Sequence, residues 1–84
     1  MAHVYFLRSL KDPNWVYVGS TDNLEQRLAN HNHGEVRSTK NRLPYEIIYK
    51  EEYASISEAR KREKEIKSSR SKKTDILESL GPIV

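Results

Sequence analysis

Cysteine is absent from this chain of 84 residues. Its absence excludes disulfide bonds, zinc sites built on thiolates and a cysteine nucleophile. A secreted domain of this size usually depends on disulfides, so the composition favours a reducing, cytoplasmic location. No apolar stretch approaches the roughly 18 residues that a membrane span needs. The N-terminus lacks the basic segment and apolar run of a signal peptide.

Large apolar residues are also scarce. Leu, Ile, Val and Phe make up 19 of the 84 residues, which is just above the range typical of disordered chains. A chain of this length buries only about 60–65% of the surface that it exposes when unfolded. We therefore expect a single domain over residues 1–84 with a small core, and we exclude a dinucleotide-binding domain or a barrel.

Positive charge is concentrated in one part of the sequence. The whole chain carries a net charge of +3. Residues 60–73 alone hold eight Lys and Arg against two Glu, a net charge of +6, which leaves −3 for the rest. A basic segment of this kind indicates a polyanion partner. The alternative explanation for the basic segment is that Lys and Arg favour helix formation and occupy a solvent-exposed helix face.

The pattern of residues predicts the element order ββαβαα, an α+β fold in which helices flank a three-stranded antiparallel sheet. The β-branched and aromatic runs at 4–7, 15–18 and 45–49 predict strands, the third running on toward residue 53, with a turn at 11–14 and Gly19 closing the second strand. We predict helices from Asp22 to Gly34, from Ser55 or Ser57 to Ser68, and over 72–80 before Gly81-Pro82.

Two polar residues of the first helix share a face with its leucines. At roughly 100° per residue, Arg27 and His31 fall on the stripe that Leu24 and Leu28 define. A guanidinium and an imidazole on an inward face need partners. The alternative is a position at the margin of the stripe, with the arginine reaching out to water.

One carboxylate of the second helix also points inward. Glu63 falls on the stripe of Ile56, Ala59 and Ile66, whereas the other two glutamates of this helix face the opposite side. An inward carboxylate is costly unless it is paired or binds a metal. A structural salt bridge with Arg27 is the alternative to a metal ligand.

The first two strands place a pair of tyrosines together. Tyr5 and Tyr17 are equally distant from residue 11, so a hairpin turning there sets them nearly opposite each other on one face. Such a pair is ordinarily packing, but here it would lie near Arg27, His31 and Glu63.

Taken together, these residues resemble the GIY-YIG nuclease superfamily over about residues 3–80. Its first motif is matched by Val4-Tyr5-Phe6 and its second by Tyr17-Val18-Gly19. The segment 20–28 is similar to the helix that carries the family's arginine, and the segment 59–67 to the helix of its metal-binding glutamate. The chain looks most like the small standalone bacterial members.

The resemblance implies a metal-dependent DNA endonuclease with a role in repair or recombination. Glu63 would bind one Mg²⁺ or Mn²⁺, Tyr5 or Tyr17 would activate water, Arg27 would contact the scissile phosphate, and His31 would assist proton transfer or hold a tyrosine. Gly19 would leave room for close packing. The chain departs from the family's pattern at Val4, at Phe6, at Ser20, where several members have lysine, and in lacking an asparagine near its end.

Two further hypotheses compete with the nuclease. The first is a non-catalytic nucleic-acid-binding module with a degenerate site. The second is a structural domain in which Arg27 and Glu63 form an internal ion pair. In the nuclease and the binding-module hypotheses, DNA is contacted by a basic loop at residues 35–44 and by the basic segment at 60–73, and specificity comes from DNA shape or a protein partner. The expected DNA contacts are Arg37, Lys40, Arg42, Lys67, Arg70, Lys72 and Lys73.

Overall fold

The fold follows the predicted order, in a computed structural model that describes residues 1–80. The strands are β1 (Ala2–Ser9), β2 (Val16–Thr21) and β3 (Tyr45–Tyr53), and the helices are α1 (Leu24–Asn32), α2 (Ile56–Ser68) and α3 (Arg70–Ser79). All strand pairs are antiparallel, in the order β2-β1-β3. The predicted α+β fold with ββαβαα order is therefore confirmed.

The central strand β1 is apolar on both faces because each face is covered. Val4 and Phe6 are completely buried against Ala59 of α2 and its neighbours. On the other face, Tyr5 and Leu7 pack with residues of α1 and with Tyr45. Helix α2 therefore packs on one face of the sheet and α1 on the other.

The hairpin register differs from the prediction. Tyr5 pairs with Gly19, and Tyr17 pairs with Leu7, so the two tyrosines are diagonal neighbours rather than opposite each other. The offset is two residues, and side chains alternate with a period of two, so both rings still lie on one face. The prediction centred the turn at residue 11, but the connection runs from Leu10 to Trp15.

Several predicted boundaries shift by one or two residues. Strand β2 continues past Gly19 to Thr21, and α3 begins at Arg70 rather than at residue 72. Helix α2 begins after its cap Ser55, the first of the two serines considered, and α1 ends one residue before His33, with Gly34 at a positive φ of 74°. The predicted stop at Gly81-Pro82 lies outside the described residues.

The N-cap of α1 is Asn23 and not Asp22. The Asn23 side chain accepts a hydrogen bond from the Gln26 amide at 3.2 Å. Thr21 fixes this start, since its hydroxyl accepts from the Asn23 amide at 3.1 Å and donates to the Asn23 carbonyl at 3.2 Å. These two bonds hold the chain extended for one residue beyond Asp22.

Among residues 1–80, no helix combines the length and the apolar character that crossing a membrane requires.

The cap assignment predicts unequal effects at two adjacent positions. Asn23→Ala should lower the free energy of unfolding by about 1 kcal/mol, because an amide of the first turn loses its acceptor. Asp22→Ala is the matched control and should change it by less than about 0.5 kcal/mol. Urea unfolding of the two variants measures both values, and equal losses would contradict the assignment.

Candidate active site

An open pocket lies at the edge of β2, between α1 and α2. Its lining combines one carboxylate, one tyrosine, one serine and several cations: Tyr17, Ser20, Arg27, Arg60, Glu63, Lys64 and Lys67. The four residues from α2 lie at spacings of three and four, so they share one face of that helix. Strand β2 supplies the tyrosine and the serine, and α1 supplies Arg27.

Glu63 is held between two neighbours from different elements. The Ser20 hydroxyl donates to Glu63 Oε1 at 2.5 Å, and Lys67 Nζ lies 2.7 Å from Glu63 Oε2. The Glu63 side chain is 22% exposed, so it borders the pocket rather than the core. Among the described residues, the cation that pairs with Glu63 is Lys67, and the suggested ion pair with Arg27 is not formed.

Arg27 instead contacts Tyr5. Its Nε donates to the Tyr5 hydroxyl at 3.3 Å. This hydrogen bond raises the pKa of Arg27. The side chain is partly exposed and lines the pocket. The guanidinium is therefore fixed from behind while part of it faces the pocket.

Behind Arg27, a chain of hydrogen bonds runs into the core. Tyr5 Oη lies 2.9 Å from His31 Nε2, and His31 Nδ1 lies 2.8 Å from the Thr39 hydroxyl. Tyr5, His31 and Thr39 are all buried, with exposures of 0–1%. The alternative prediction, in which His31 lies at the margin of the apolar stripe of α1, is therefore wrong. Arg27 does lie at that margin.

One set of proton positions satisfies every member of this chain. Thr39 donates to the Val36 carbonyl at 3.3 Å, so its oxygen can accept from His31 Nδ1–H. Nε2 is then unprotonated and accepts the Tyr5 proton, and the Tyr5 oxygen accepts from Arg27. Each hydrogen bond thus assigns the direction of the next, and His31 is neutral as the Nδ1–H tautomer.

Burial perturbs two of these groups. Burial, only partly offset by the hydrogen bond from Arg27, raises the pKa of the Tyr5 hydroxyl to about 12. Burial and then the charge of Arg27 lower the pKa of His31 to about 4. Both groups are therefore neutral at physiological pH. Tyr17, which is partly exposed and lines the pocket, is the tyrosine that a substrate can reach.

Gly19 lets the two tyrosines approach each other. A Cβ atom at this position would lie 2.6 Å from the Tyr5 hydroxyl and 2.8 Å from the Tyr17 ring. The ring centroids of Tyr5 and Tyr17 are 6.2 Å apart. Any side chain here would push the rings away from Arg27 and His31.

The predicted DNA contacts occupy several different surfaces. Arg37 and Lys40 are exposed on the connection between α1 and β3, and Arg70 and Lys72 are exposed at the start of α3. Lys67 lies in the pocket. Lys73 is instead partly buried, and its Nζ donates to the Val16 carbonyl at 3.2 Å, which anchors α3 on the edge strand. Arg42 lies over the ring of Trp15, 5.1 Å from its centroid.

Some members of this site were not predicted from the sequence. Arg60 and Lys64 line the pocket, and Arg60 lies three residues before Glu63 and four before Lys64, spacings that place residues on one helix face and so were a usable signal. Thr39 had no such signal, because it lies in an irregular connection where periodicity says nothing about burial. Ser20 was noted only as a departure from the family's pattern, although its hydroxyl contacts the glutamate.

A second partly buried carboxylate, that of Glu51, was also not predicted from the sequence. Glu51 accepts hydrogen bonds from Tyr49, Tyr53 and Arg62, the first two at 2.5 and 2.6 Å. These donors outweigh the effect of burial and lower the pKa of Glu51 to about 2. Every acceptor oxygen of this carboxylate has a protein partner, so we interpret the cluster as a structural link between β3 and α2.

The buried histidine predicts a pH-dependent stability. The pKa of His31 falls from 6.5 to about 4 on folding, so protons bind preferentially to the unfolded chain between these values. The stabilisation is fully present above pH 6.5 and is lost as the pH falls toward 4. The free energy of unfolding should decrease by about 2 kcal/mol between pH 7 and pH 5.

His31→Gln should remove most of this dependence of the free energy of unfolding on pH. His33→Gln, at an exposed position of the same helix end, should leave the pH dependence unchanged. Urea unfolding at several pH values measures the free energy of unfolding of each variant. A slope that survives in His31→Gln would show that another group titrates.

The contact geometry at Gly19 predicts the cost of a single methyl group. Gly19→Ala should lower the free energy of unfolding by about 1–3 kcal/mol, the usual cost of inserting an extra methyl group into a packed interior. Thermal and urea unfolding measure the loss. An unchanged midpoint would mean that the tyrosine rings are not packed against this backbone position.

Comparison with known proteins identifies the family of this chain. The GIY-YIG catalytic domain model matches residues 1–75. A UPF0213 protein of Staphylococcus haemolyticus is 42% identical over 78 residues, covering 90% of this chain and 94% of its relative. One of Natronomonas pharaonis is 42% identical over 77 residues, covering 89% of each chain.

A solved structure is similar as well. The solution NMR structure of a UPF0213 protein from Bacillus halodurans aligns with a TM-score of 0.57 and 29% identity, and covers 98% of this chain and 89% of that one. The family match spans both tyrosine motifs, the arginine helix and the glutamate helix. The chain therefore belongs to the GIY-YIG family of nucleases.

Proposed function

We propose that this protein is a divalent-metal-dependent endonuclease that hydrolyses a phosphodiester bond in DNA. The observation that carries the proposal is the convergence of Glu63 and Arg27 on one open pocket at the β2 edge. The two groups come from different helices, and each is held by a hydroxyl group behind it: Ser20 for Glu63 and Tyr5 for Arg27.

The charge of the pocket suits a phosphate substrate. Four cations, Arg27, Arg60, Lys64 and Lys67, surround a single carboxylate. Phosphodiester hydrolysis gathers negative charge on the phosphate oxygens, and fixed cations stabilise that charge. Among them, Arg27 is the one held from behind by a hydrogen bond to the buried Tyr5, so we assign it to the scissile phosphate.

The donor set fits Mg²⁺ or Mn²⁺. Mg²⁺ keeps several water ligands and is usually bound by one or two carboxylates together with substrate phosphates. Among residues 1–80, no group of three or more His, Asp or Glu side chains converges, so Glu63 would be the protein's carboxylate ligand. When bound, the ion would stabilise charge on the phosphate and lower the pKa of a bound water.

The residues around Glu63 prepare it for this role. Ser20 orients the carboxylate through Oε1. Lys67 approaches Oε2 from a side chain that is 47% exposed, so it is free to move from the carboxylate to a DNA phosphate.

The tyrosines have different roles in this proposal. Tyr17 borders the pocket, and we assign it to the attacking water, as a hydrogen-bond acceptor or general base. Tyr5 is fully buried, its pKa is about 12, and its oxygen holds Arg27, so it is a positioning residue. His31 acts one step further back by accepting the Tyr5 proton.

The substrate would be chosen by shape. Outside the pocket, one group of exposed cations lies on the connection before β3 and another at the start of α3, and such cations favour the sugar-phosphate backbone over base edges. We therefore propose a structure-selective activity, in DNA repair or recombination, with any further specificity supplied by a protein partner.

A second candidate function is a non-catalytic DNA-binding module. The observation that favours it is the ion pair between Lys67 and Glu63, because a lysine on the carboxylate can replace a metal ion. Both candidates bind DNA with an affinity that falls as salt rises. They differ in whether the bound phosphodiester is cut.

Cleavage assays separate the two candidates. Supercoiled, nicked and branched DNA are incubated with the protein in Mg²⁺ or Mn²⁺, and the products are resolved on gels. The wild-type protein should nick DNA, and Glu63→Gln should reduce the rate by about 100-fold or more, because the metal ligand is removed. Metal chelation should have the same effect.

Glu58→Gln is the matched control for Glu63→Gln. Glu58 lies on α2 but is exposed on the opposite side of the helix, so its loss should leave the cleavage rate unchanged. Cutting that persists in Glu63→Gln would contradict the assignment of the nuclease activity to this pocket. Salt-dependent binding with no cutting by the wild-type protein would favour the second candidate.

A further inference from the structure

Cations and aromatic rings follow one another along the β2 edge, starting from the pocket. Lys67 Nζ lies 5.4 Å from the centroid of the Tyr17 ring. The rings of Tyr17 and Trp15 are stacked within 19° of parallel, with centroids 6.4 Å apart. Arg42 lies over Trp15 at 5.1 Å. The four side chains form a continuous row, which we call the stacking row, with a cation at each end.

The stacking row follows the direction of the strand. Trp15 immediately precedes β2 and is two residues before Tyr17, the rings of both lie on the same face, and in an extended chain their Cα atoms are about 6.6–6.8 Å apart. This spacing is comparable to one nucleotide of an extended strand. A strand whose scissile phosphate lies beside Arg27 and Tyr17 would therefore bring an adjacent base to Trp15.

Trp15 has one supported side and one loosely covered side. Its ring packs beside Tyr45, which is buried, with centroids 5.8 Å apart. Arg42 covers it from a side chain that is 44% exposed, and its ion pair with Asp12 is long, at 3.9 Å. A cation over an aromatic ring at an exposed site is a weak contact, and a nucleic acid base stacks more strongly on tryptophan.

We propose that Trp15 and Arg42 form a subsite for an unpaired DNA base next to the scissile phosphate. The base stacks against Trp15, and Arg42 moves to the base's outer face or to its phosphate. A base inside a duplex has both faces covered by neighbours, so only an unpaired base fits. The proposal rests on the proposed function for the position of the scissile phosphate, and it names the substrate class as DNA with a single-stranded nucleotide at that point.

Intrinsic fluorescence tests the subsite directly, because Trp15 is the chain's single tryptophan. A thymidine decamer is titrated into the Glu63→Gln protein in EDTA, so that no cutting occurs. We expect saturable quenching of tryptophan emission. A decamer of the same length with abasic residues keeps every phosphate and should bind with no saturable quenching. Equal quenching by both decamers, or quenching by neither, would overturn the proposal.

Affinities give the second test. Removing the Trp15 ring and removing the bases should act on the same contact, so a thermodynamic cycle measures their coupling. In the Glu63→Gln background, Trp15→Ala should weaken binding of the normal decamer by about tenfold or more, yet leave binding of the abasic decamer unchanged. An equal loss of affinity for both decamers would overturn the proposal.

Two control variants complete the design. Trp15→Phe keeps an aromatic face and should retain most of the preference for the normal decamer. Leu10→Ala removes an exposed apolar side chain from the same hairpin connection and should change neither affinity. Circular dichroism establishes that each variant is folded. If Trp15→Ala is unfolded, the fluorescence titration of the Glu63→Gln protein, which retains Trp15, still tests the proposed subsite.

The outcomes separate this proposal from the proposed function. Base-dependent quenching without any metal-dependent cleavage would support the subsite and overturn the nuclease assignment. Cleavage that needs Glu63, combined with equal affinity for the normal and abasic decamers, would support the nuclease and overturn the subsite.

Discussion

The site depends on a single buried hydroxyl group, that of Tyr5. It accepts a hydrogen bond from Arg27 and contacts His31, and so joins the pocket to the core. A polar group with 1% exposure has to be fully hydrogen-bonded, because an unpaired one costs on the order of 1–3 kcal/mol. The stability of the core and the position of the Arg27 guanidinium are therefore set by the same contacts. Because the same contacts serve both purposes, a small protein can hold an arginine in place without additional residues dedicated to that role.

Because the chain is small, other elements also serve both the core and the site. Strand β1 contributes to both packed faces, and its neighbour β2 carries Tyr17 and Ser20, which line the pocket. Gly19 has no side chain because two rings occupy that space. Helix α2 packs Ala59 and Ile66 in the core and turns Glu63 toward the edge of the sheet. One strand and one helix thus serve both the fold and the chemistry, with little sequence left for anything else.

Much of this could be predicted from the sequence where regular periodicity applies. Helical spacing separated Glu63 from Glu58 and placed His31 on the inward face, and the structure agrees. The diagonal placement of the tyrosines could not be predicted, because it depends on the length of the hairpin connection. The cap at Asn23 depends on reciprocal bonds with Thr21. Thr39 and the contact of Arg42 with Trp15 depend on the path of an irregular connection, which no periodic pattern describes.

The protonation state of His31 is the most direct test of the hydrogen-bond chain that positions Arg27. Long-range ¹⁵N–¹H NMR spectra of the imidazole report which ring nitrogen carries the proton. The account predicts a neutral ring with the proton on Nδ1 at pH 7, and no change in that state down to about pH 5, since its pKa is about 4. A proton on Nε2, or an imidazolium at pH 6, would contradict the hydrogen-bond chain that holds Arg27 in the pocket.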